Sequence, residues 1–166
     1  MADSSSRFAL PYLQPGQAQK EAFHNEALTT IDAMLHPVAQ AAGDNSPPGT
    51  PAVGQCWIVG GAPTDAWAGH AGAIALWSEG GWRFIAPTDG MMLWLASAQV
   101  WARRAGSIWV IGDMPANTIS VAGLQILGAR QPAIADPAGG SVVDTQARSA
   151  ITALLAAARA HGLIAT

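Results

Sequence analysis

Apolar and polar positions divide the chain into three stretches with different periods. Residues 17–35 contain no Gly or Pro, and their apolar residues recur at three- and four-residue spacing. This spacing predicts an amphipathic helix, and its apolar face would carry Phe23, Ala27, Ile31 and Met34 or Leu35. Pro37 interrupts that pattern, and the composition of residues 43–51 (GDNSPPGTP) is typical of a loop.

The second stretch, residues 52–128, consists of short apolar runs separated by turn residues such as SEGG and PTDG. Runs of this length, at spacings of roughly 8–12 residues, predict an antiparallel meander or a small barrel. Side-chain alternation in one of them puts Trp82 and Phe84 on one face and Arg83 on the other. The predicted strands are residues 55–59, 73–77, 82–86, 91–95, 100–104 and 107–111.

The third stretch, residues 129–166, opens with a connector rich in Pro and Gly. Asp144 is a favourable N-cap for a helix over residues 145–160, and Gly162 lies where a C-cap glycine belongs. The helix has few charges and an apolar face that needs a partner, either the β region of the same chain or other copies of the helix. The residues of that face, which predict self-association, are Ala147, Ile151, Leu154, Leu155, Ala158 and His161.

These patterns together predict an α+β protein with three parts. Residues 1–51 form an N-terminal arm and helix, residues 52–128 a Trp-rich β domain, and residues 129–166 a linker and a C-terminal oligomerisation helix.

Composition favours a protein that functions in an assembly. Half of the chain is hydrophobic and 11% is charged, against about 25% in average proteins, so an isolated monomer would expose apolar patches. The net charge is −3 and the eight Lys and Arg residues are scattered. This distribution argues against nucleic-acid binding, which needs a clustered basic face.

The remaining composition limits cofactors and location. With Cys56 as the single cysteine, an internal disulfide and a Cys-based zinc site are excluded, and the string His24-Asn25-Glu26 lacks the second His of a zinc protease motif. We therefore expect neither a metal nor a cofactor. No apolar run is long enough to span a membrane, and residues 1–7 lack the apolar core of a signal peptide. We expect synthesis in the cytoplasm and release, on lysis, as part of an extracellular particle.

Residues 10–35 (LPYLQPGQAQKEAFHNEALTTIDAML) resemble the opening of an uncharacterised domain family that occurs in alphaproteobacterial prophages and gene transfer agents. The match rests on the strings LPY, QAQK and HNEAL and on Asp32. Residues 57–90, with WAGHAG at positions 67–72, are also similar to the family, whereas residues 94–109 depart from its pattern. The tail, residues 129–164, resembles a C-terminal segment that recurs on such phage proteins.

The resemblance implies a virion-associated protein, either a head spike or a tail fibre component. Relatives of this kind are linked to attachment to host capsular polysaccharide. Spikes and fibres are usually trimeric, so the expected partners are further copies of the chain in a homotrimer, other virion proteins and the host glycan.

Two groups of residues are candidates for glycan binding. In the Gly-rich loop over residues 60–72, Trp67 could stack on a sugar ring while His70 and Asp65 hydrogen-bond to it. The alternative is that Trp67 lies in the core and His70 orders the loop. The second group, a candidate for an anionic sugar, comprises Trp101, Arg103 and Arg104.

Two further interpretations concern assembly. Seven tryptophans cannot all lie inside so small a β unit, and burial at a subunit interface is the alternative to glycan binding. The first helix also carries a polar string that could contact the particle or a neighbouring subunit; alternatively, its Gln and Asn side chains satisfy buried backbone groups. The string comprises Gln17, Gln19, Lys20, His24, Asn25 and Glu26.

No catalytic group stands out. A glycan-cleaving enzyme would need a pair of carboxylates, but Glu79 and Asp89 lie in turn sequences, and no Ser-His-Asp or Cys-His arrangement is apparent. We therefore predict a non-enzymatic protein. The two leading functions are an attachment module and a purely structural connector or spike base, with a glycan-degrading enzyme a distant third.

Overall fold

The computed structural model describes residues 3–13 and 20–165. The chain divides into two compact units, residues 1–114 and residues 115–166, which are described separately below. Both predicted helices and all six predicted strands are present, and the α+β fold class is confirmed.

The first unit begins with an arm, residues 3–13, that lies against helix α1, Lys20–Met34. Asp32 of the helix is buried and accepts three hydrogen bonds from the arm. The donors are the hydroxyl of Ser5 at 2.7 Å and the backbone N–H groups of Arg7 at 2.9 Å and Phe8 at 2.7 Å. A buried carboxylate is stable in this position because its lone pairs are occupied by donors.

Arg7 closes the C-terminal end of α1. Its guanidinium donates to the carbonyls of Asp32, Ala33 and His36, each at 2.8 Å, and to that of Leu35 at 3.2 Å. These carbonyls have no partners within the helix, and the negative end of the helix dipole favours a cation there. The arm and the helix are thus joined by both a buried acid and a basic cap.

The apolar face predicted for α1 is turned outward. Phe23 is 83% exposed and Ile31 is 48% exposed, whereas Asp32 and Ala33 are buried. Met34, at the end of the predicted face, instead packs against the core together with Ala33. Asp32 lies on this packed side because it provides the acceptors required by the backbone donors of the arm.

A seven-stranded sheet forms the rest of the first unit. Its spatial order is β4-β3-β2-β1-β5-β6-β7. The six predicted strands are present as β2–β7. The bounds are β1 Val38–Asp44, β2 Cys56–Val59, β3 Ile74–Ser78, β4 Gly81–Ile85, β5 Met92–Leu95, β6 Val100–Ala105 and β7 Ile108–Ile111.

The central strand, β1, was not predicted, and the sheet is open, so the expectation of a small barrel is wrong. The strand runs parallel to both β2 and β5, while the other pairings are antiparallel. Its sequence, VAQAAGD, is rich in Ala and carries little apolar bulk. Ala39 is nonetheless fully buried, because the neighbouring strands cover it.

Side-chain alternation gives the sheet two packed faces. One buries Cys56, Ile58, Leu76 and Leu93 together with Ala33 of α1. Burial raises the pKa of the Cys56 thiol from 9.0 to about 11, because the low-polarity interior disfavours the thiolate. Cys56 is therefore a protonated core residue.

The other face of the sheet is built on tryptophans. Trp57 and Val59 of β2 and Ala75 of β3 are buried against Trp67, which belongs to the short 3-10 helix Asp65–Trp67. Trp77 lies directly opposite Trp82 in the β3–β4 pair and packs against the same cluster.

The second unit contains a hairpin and a helix. The hairpin pairs β8 (Ile119–Val121) with β9 (Leu124–Leu127), two strands that the sequence did not predict. The helix, α2, spans Thr145–Ala160 as predicted, and the Asp144 side chain accepts a hydrogen bond from the N–H of Ala147 at 2.9 Å.

The end of α2 is a Schellman motif. Gly162 has a φ of 70°, its N–H donates to Arg159 O at 2.9 Å, and the N–H of Leu163 donates to Ala158 O at 2.9 Å. A left-handed residue is required here, which is why a glycine fits the position.

Candidate functional site

Four tryptophans of the first unit form one aromatic cluster. The Trp82 ring lies 5.0 Å from Trp77, 5.3 Å from Trp67 and 5.6 Å from Trp57, measured between centroids, in edge-to-face arrangements. This geometry is the favoured one for aromatic rings and stabilises the face of the sheet on which they lie. Four of the seven tryptophans are thereby accounted for as packing residues.

The loop site predicted around Trp67 is not available to a sugar in this structure. Trp67 is fully buried, so neither face of its ring is open to a ligand. His70 stacks on Phe84 with centroids 3.6 Å apart and planes 3° from parallel, and Asp65 accepts a hydrogen bond from the Thr64 hydroxyl at 3.0 Å. The alternative placement, with Trp67 in the core and His70 ordering the loop, is the one observed.

The second predicted group lies on strand β6. Trp101 is 41% exposed and lies directly opposite Trp94 of β5, with centroids 5.4 Å apart and planes at 77°. Arg103 is two residues further along the same strand and therefore on the same face, opposite Met92. We call the surface formed by Met92, Trp94, Trp101 and Arg103 the Trp101 platform.

The third member of that group is on the other face of the sheet. The guanidinium carbon of Arg104 lies 5.8 Å from the centroid of the Trp109 ring, and its Nε donates to Gly106 O at 2.9 Å. The structure therefore brings Arg103 together with Trp101 and separates Arg104 from them. Pairing the predicted strands 91–95 and 100–104 through their four-residue turn would have identified Trp94 as the neighbour of Trp101.

Arg103 has an unused donor. Its Nε is buried and has no hydrogen-bond partner in the structure. A buried N–H of a charged group without a partner is unfavourable, and a ligand oxygen on the platform is one group that could provide that partner.

A larger concave feature, which the sequence did not reveal, lies between the arm, α1 and the β3–β4 hairpin. We call this cavity of about 520 Å³ the arm–helix groove. Glu26 of α1 and Arg83 of β4 form an ion pair across it, with Oε1 and Nε 2.7 Å apart. The groove is lined by Ser4, Ser6, Tyr12, Glu21, Ala22, Asn25, Glu26, Thr29, Asp32, Val53, Leu76, Trp77, Ser78, Glu79, Gly80 and Arg83.

The predicted contact string on α1 divides between surface and groove. Gln17 and Gln19 lie outside the described residues, and Lys20 is the first residue of the helix. His24 is exposed. Asn25 binds the backbone of Leu13 through both amide atoms, at 2.9 and 3.0 Å, and so satisfies backbone groups of the arm. Particle contact by these residues stays a prediction.

The predicted association face of α2 is open. Leu154 is 71% exposed, Ile151 and His161 are exposed, and Leu155 is partly buried. Among the described residues of the second unit, Ile164 alone is buried. This unit thus leaves apolar side chains on both its hairpin and its helix without a core of their own.

Two negative findings apply to the described part of the chain. No group of three or more His, Cys, Asp or Glu side chains is placed to hold a metal ion. None of the helices observed in residues 20–165 combines the length and apolar character needed to cross a bilayer.

Comparison with known protein families gives a match over the first unit. A family model described as a protein of unknown function, DUF2793, matches residues 24–110, just over half of the chain. The matched span runs from α1 into β7 and includes the Trp101 platform. No curated protein matches the chain.

Proposed function

The chain belongs to the DUF2793 family of proteins of unknown function, and from this starting point we propose that it is a virion attachment protein. In this proposal it is a head spike or tail fibre component of a phage or gene transfer agent and aids adsorption to host capsular polysaccharide. The resemblance of its opening and tail segments to phage proteins supports the virion assignment.

The observation that carries the attachment role is the Trp101 platform. An exposed indole offers an apolar face to the C–H groups of a sugar ring, and Trp94 holds it edge-on from the neighbouring strand. Arg103 lies beside it on the same face, where its planar guanidinium can bind a carboxylate through two parallel hydrogen bonds. This combination favours a polysaccharide that contains acidic sugars.

Self-association is the second part of the proposal. The exposed apolar residues of α2 and of the hairpin need cover, since a unit this small with one buried residue has little apolar burial to stabilise it. Further copies of the chain would provide that cover, and we propose a homotrimer. In this proposal, other virion proteins bind the homotrimer and attach it to the particle.

A purely structural connector or spike base is the alternative. The outward apolar surface of α1, which includes Phe23 and Ile31, favours it, because such a surface is suited to a protein neighbour. A glycan-degrading enzyme remains third, since the residues of the Trp101 platform include no carboxylate, and glycosidases use a pair of them.

The attachment role is tested by binding of fluorescently labelled protein to capsulated host cells and to isogenic cells without a capsule. We expect binding to the capsulated cells only. Arg103→Ala should lower this binding, whereas Arg104→Ala, the adjacent residue on the opposite face, should leave it near the wild-type level. Equal binding to both cell types would reject the attachment role in favour of the connector.

A further inference from the structure

The arm–helix groove is distinct from the Trp101 platform in its residues and in its charge. Its three walls come from the arm, from α1 and from the β3–β4 hairpin, with Tyr12, Asn25 and Ser78 as examples. At about 520 Å³ its volume lies within the roughly 300–1,000 Å³ typical of small-molecule sites. The groove is therefore large enough to hold a small organic ligand.

Most of the polar groups at this site have partners within the protein. The Tyr12 hydroxyl hydrogen-bonds to the Thr29 hydroxyl at 2.7 Å, and Asn25 is held by the backbone of Leu13. Asp32 accepts three donors from the arm, and Glu26 is paired with Arg83. These groups form the walls of the groove, and few of their donors and acceptors are left for a ligand to bind.

Glu21 differs from them. Its Oε2 atom is buried and has no hydrogen-bond partner in the structure. A buried carboxylate oxygen without a donor is unfavourable, because it has lost its hydrogen bonds to water and has formed none within the protein. A donor brought by a ligand would remove that cost.

The charge of the lining decides which kind of donor fits. Four lining residues carry carboxylates, namely Glu21, Glu26, Asp32 and Glu79, and one, Arg83, carries a positive charge. Glu26 is balanced by Arg83 and Asp32 is satisfied by the arm, so the attraction for a cation comes from the Glu21 carboxylate, which also repels anions. A metal ion is disfavoured because no three acidic or His side chains of the described chain converge on one point. A protonated amine meets both requirements, since it carries a positive charge and up to three N–H donors.

We propose that the arm–helix groove binds a small organic molecule through a protonated amino group, with Glu21 as the acceptor. The site is independent of the glycan-binding role, because its negative lining is opposite in sign to Arg103 on the platform. Its ligand is therefore an amine-bearing compound and not the acidic polysaccharide proposed above.

The test uses the full-length chain and two amines, glucosamine and putrescine, each compared with its N-acetylated form. Acetylation keeps the rest of each molecule but removes the positive charge. In titrations followed by amide NMR, we expect shifts confined to groove residues with at least one amine, and about tenfold or greater weakening on acetylation. Loss of discrimination between the amine and its acetylated form would overturn the proposal, as would the absence of groove shifts with both amines.

The acceptor is tested with Glu21→Gln, which retains the shape of the side chain and removes its charge. This variant should bind the amine at least about tenfold more weakly without loss of folded stability, because it removes the negative charge from a buried oxygen that has no hydrogen-bond partner. Asp113→Asn makes the same charge change at an exposed position that does not line the groove and should bind as the wild type does. If the two variants bind equally, Glu21 is not the acceptor and the proposal fails.

Discussion

Trp101 lies directly opposite Trp94 across the β5–β6 pair, with the two rings edge-to-face and 5.4 Å apart, yet it keeps 41% of its surface exposed. Trp101 therefore presents an aromatic surface whose orientation is fixed by a neighbour. This relationship underlies the glycan-binding proposal.

Trp101→Ala should weaken binding to capsulated cells by roughly 2- to 10-fold, the factor expected for loss of one aromatic contact. Trp101→Phe keeps an aromatic face and should retain most of the binding. Because part of the ring packs edge-to-face on Trp94, thermal unfolding of Trp101→Ala should show a loss of about 1–3 kcal/mol. A variant that binds as tightly as wild type would remove Trp101 from the site.

Arg7→Ala should destabilise the first unit by about 2 kcal/mol, because four carbonyls at the C-terminal end of α1 lose a charged donor. Denaturant unfolding followed by tryptophan fluorescence would measure the change. Arg7→Lys keeps the charge but cannot span four acceptors, so its stability should lie between that of the wild type and that of Arg7→Ala. A lysine variant as unstable as the alanine variant would mean that the charge at the helix end contributes nothing.

The raised pKa of the Cys56 thiol predicts how the free energy of unfolding depends on pH in the alkaline range. Its pKa is about 11 in the folded chain against 9.0 for an unperturbed thiol, so the unfolded state loses its proton first as pH rises. Stability should therefore fall from about pH 9 towards pH 11, by about 2–3 kcal/mol. Cys56→Ala should be less stable near neutral pH, through the cavity it leaves, but should lack this part of the alkaline decline. An identical decline in both proteins would assign it to other groups.

Deleting residues 145–166 should lower the oligomeric state, because the exposed face of α2 with Ile151 and Leu154 is lost. Light scattering or mass photometry at micromolar concentration would measure it, with a trimer expected for the intact chain. Leu154→Glu, which places a charge on the same face, should also dissociate the trimer. Ser149→Glu is the control, because it places the same charge outside the predicted association face. A monomeric intact chain would exclude self-association through α2.

The sequence predicted those parts of the fold that are determined by local chemistry. Asp144 and Gly162 mark the ends of α2 because capping depends on a few adjacent residues. The turns that connect strands β2 to β7 are likewise predicted by the Gly- and Pro-rich sequences that lie between these strands. Strand β1 carries no such signal, since Ala39 is buried by packing with residues distant in the sequence, such as Ala33 of α1, and its other alanines are only partly buried.

The sites were less predictable than the fold because they depend on long-range contacts. Glu26 and Arg83 meet across the groove although they are 57 residues apart. The burial of Trp67 and the separation of Arg103 from Arg104 follow from the packing and the register of the sheet. The excess of tryptophans over core positions, by contrast, predicted that some of them lie outside the core, and Trp101 is one that is exposed.

The central claim, that the chain is an external virion component, is tested most directly by the position of the protein in intact particles. Gold-labelled antibodies against the second unit, applied to purified particles and viewed by electron microscopy, would locate it. We expect label on the outer head surface or at the tail tip, and none on particles from a deletion strain. Particles that contain no detectable copy of the protein would contradict the account.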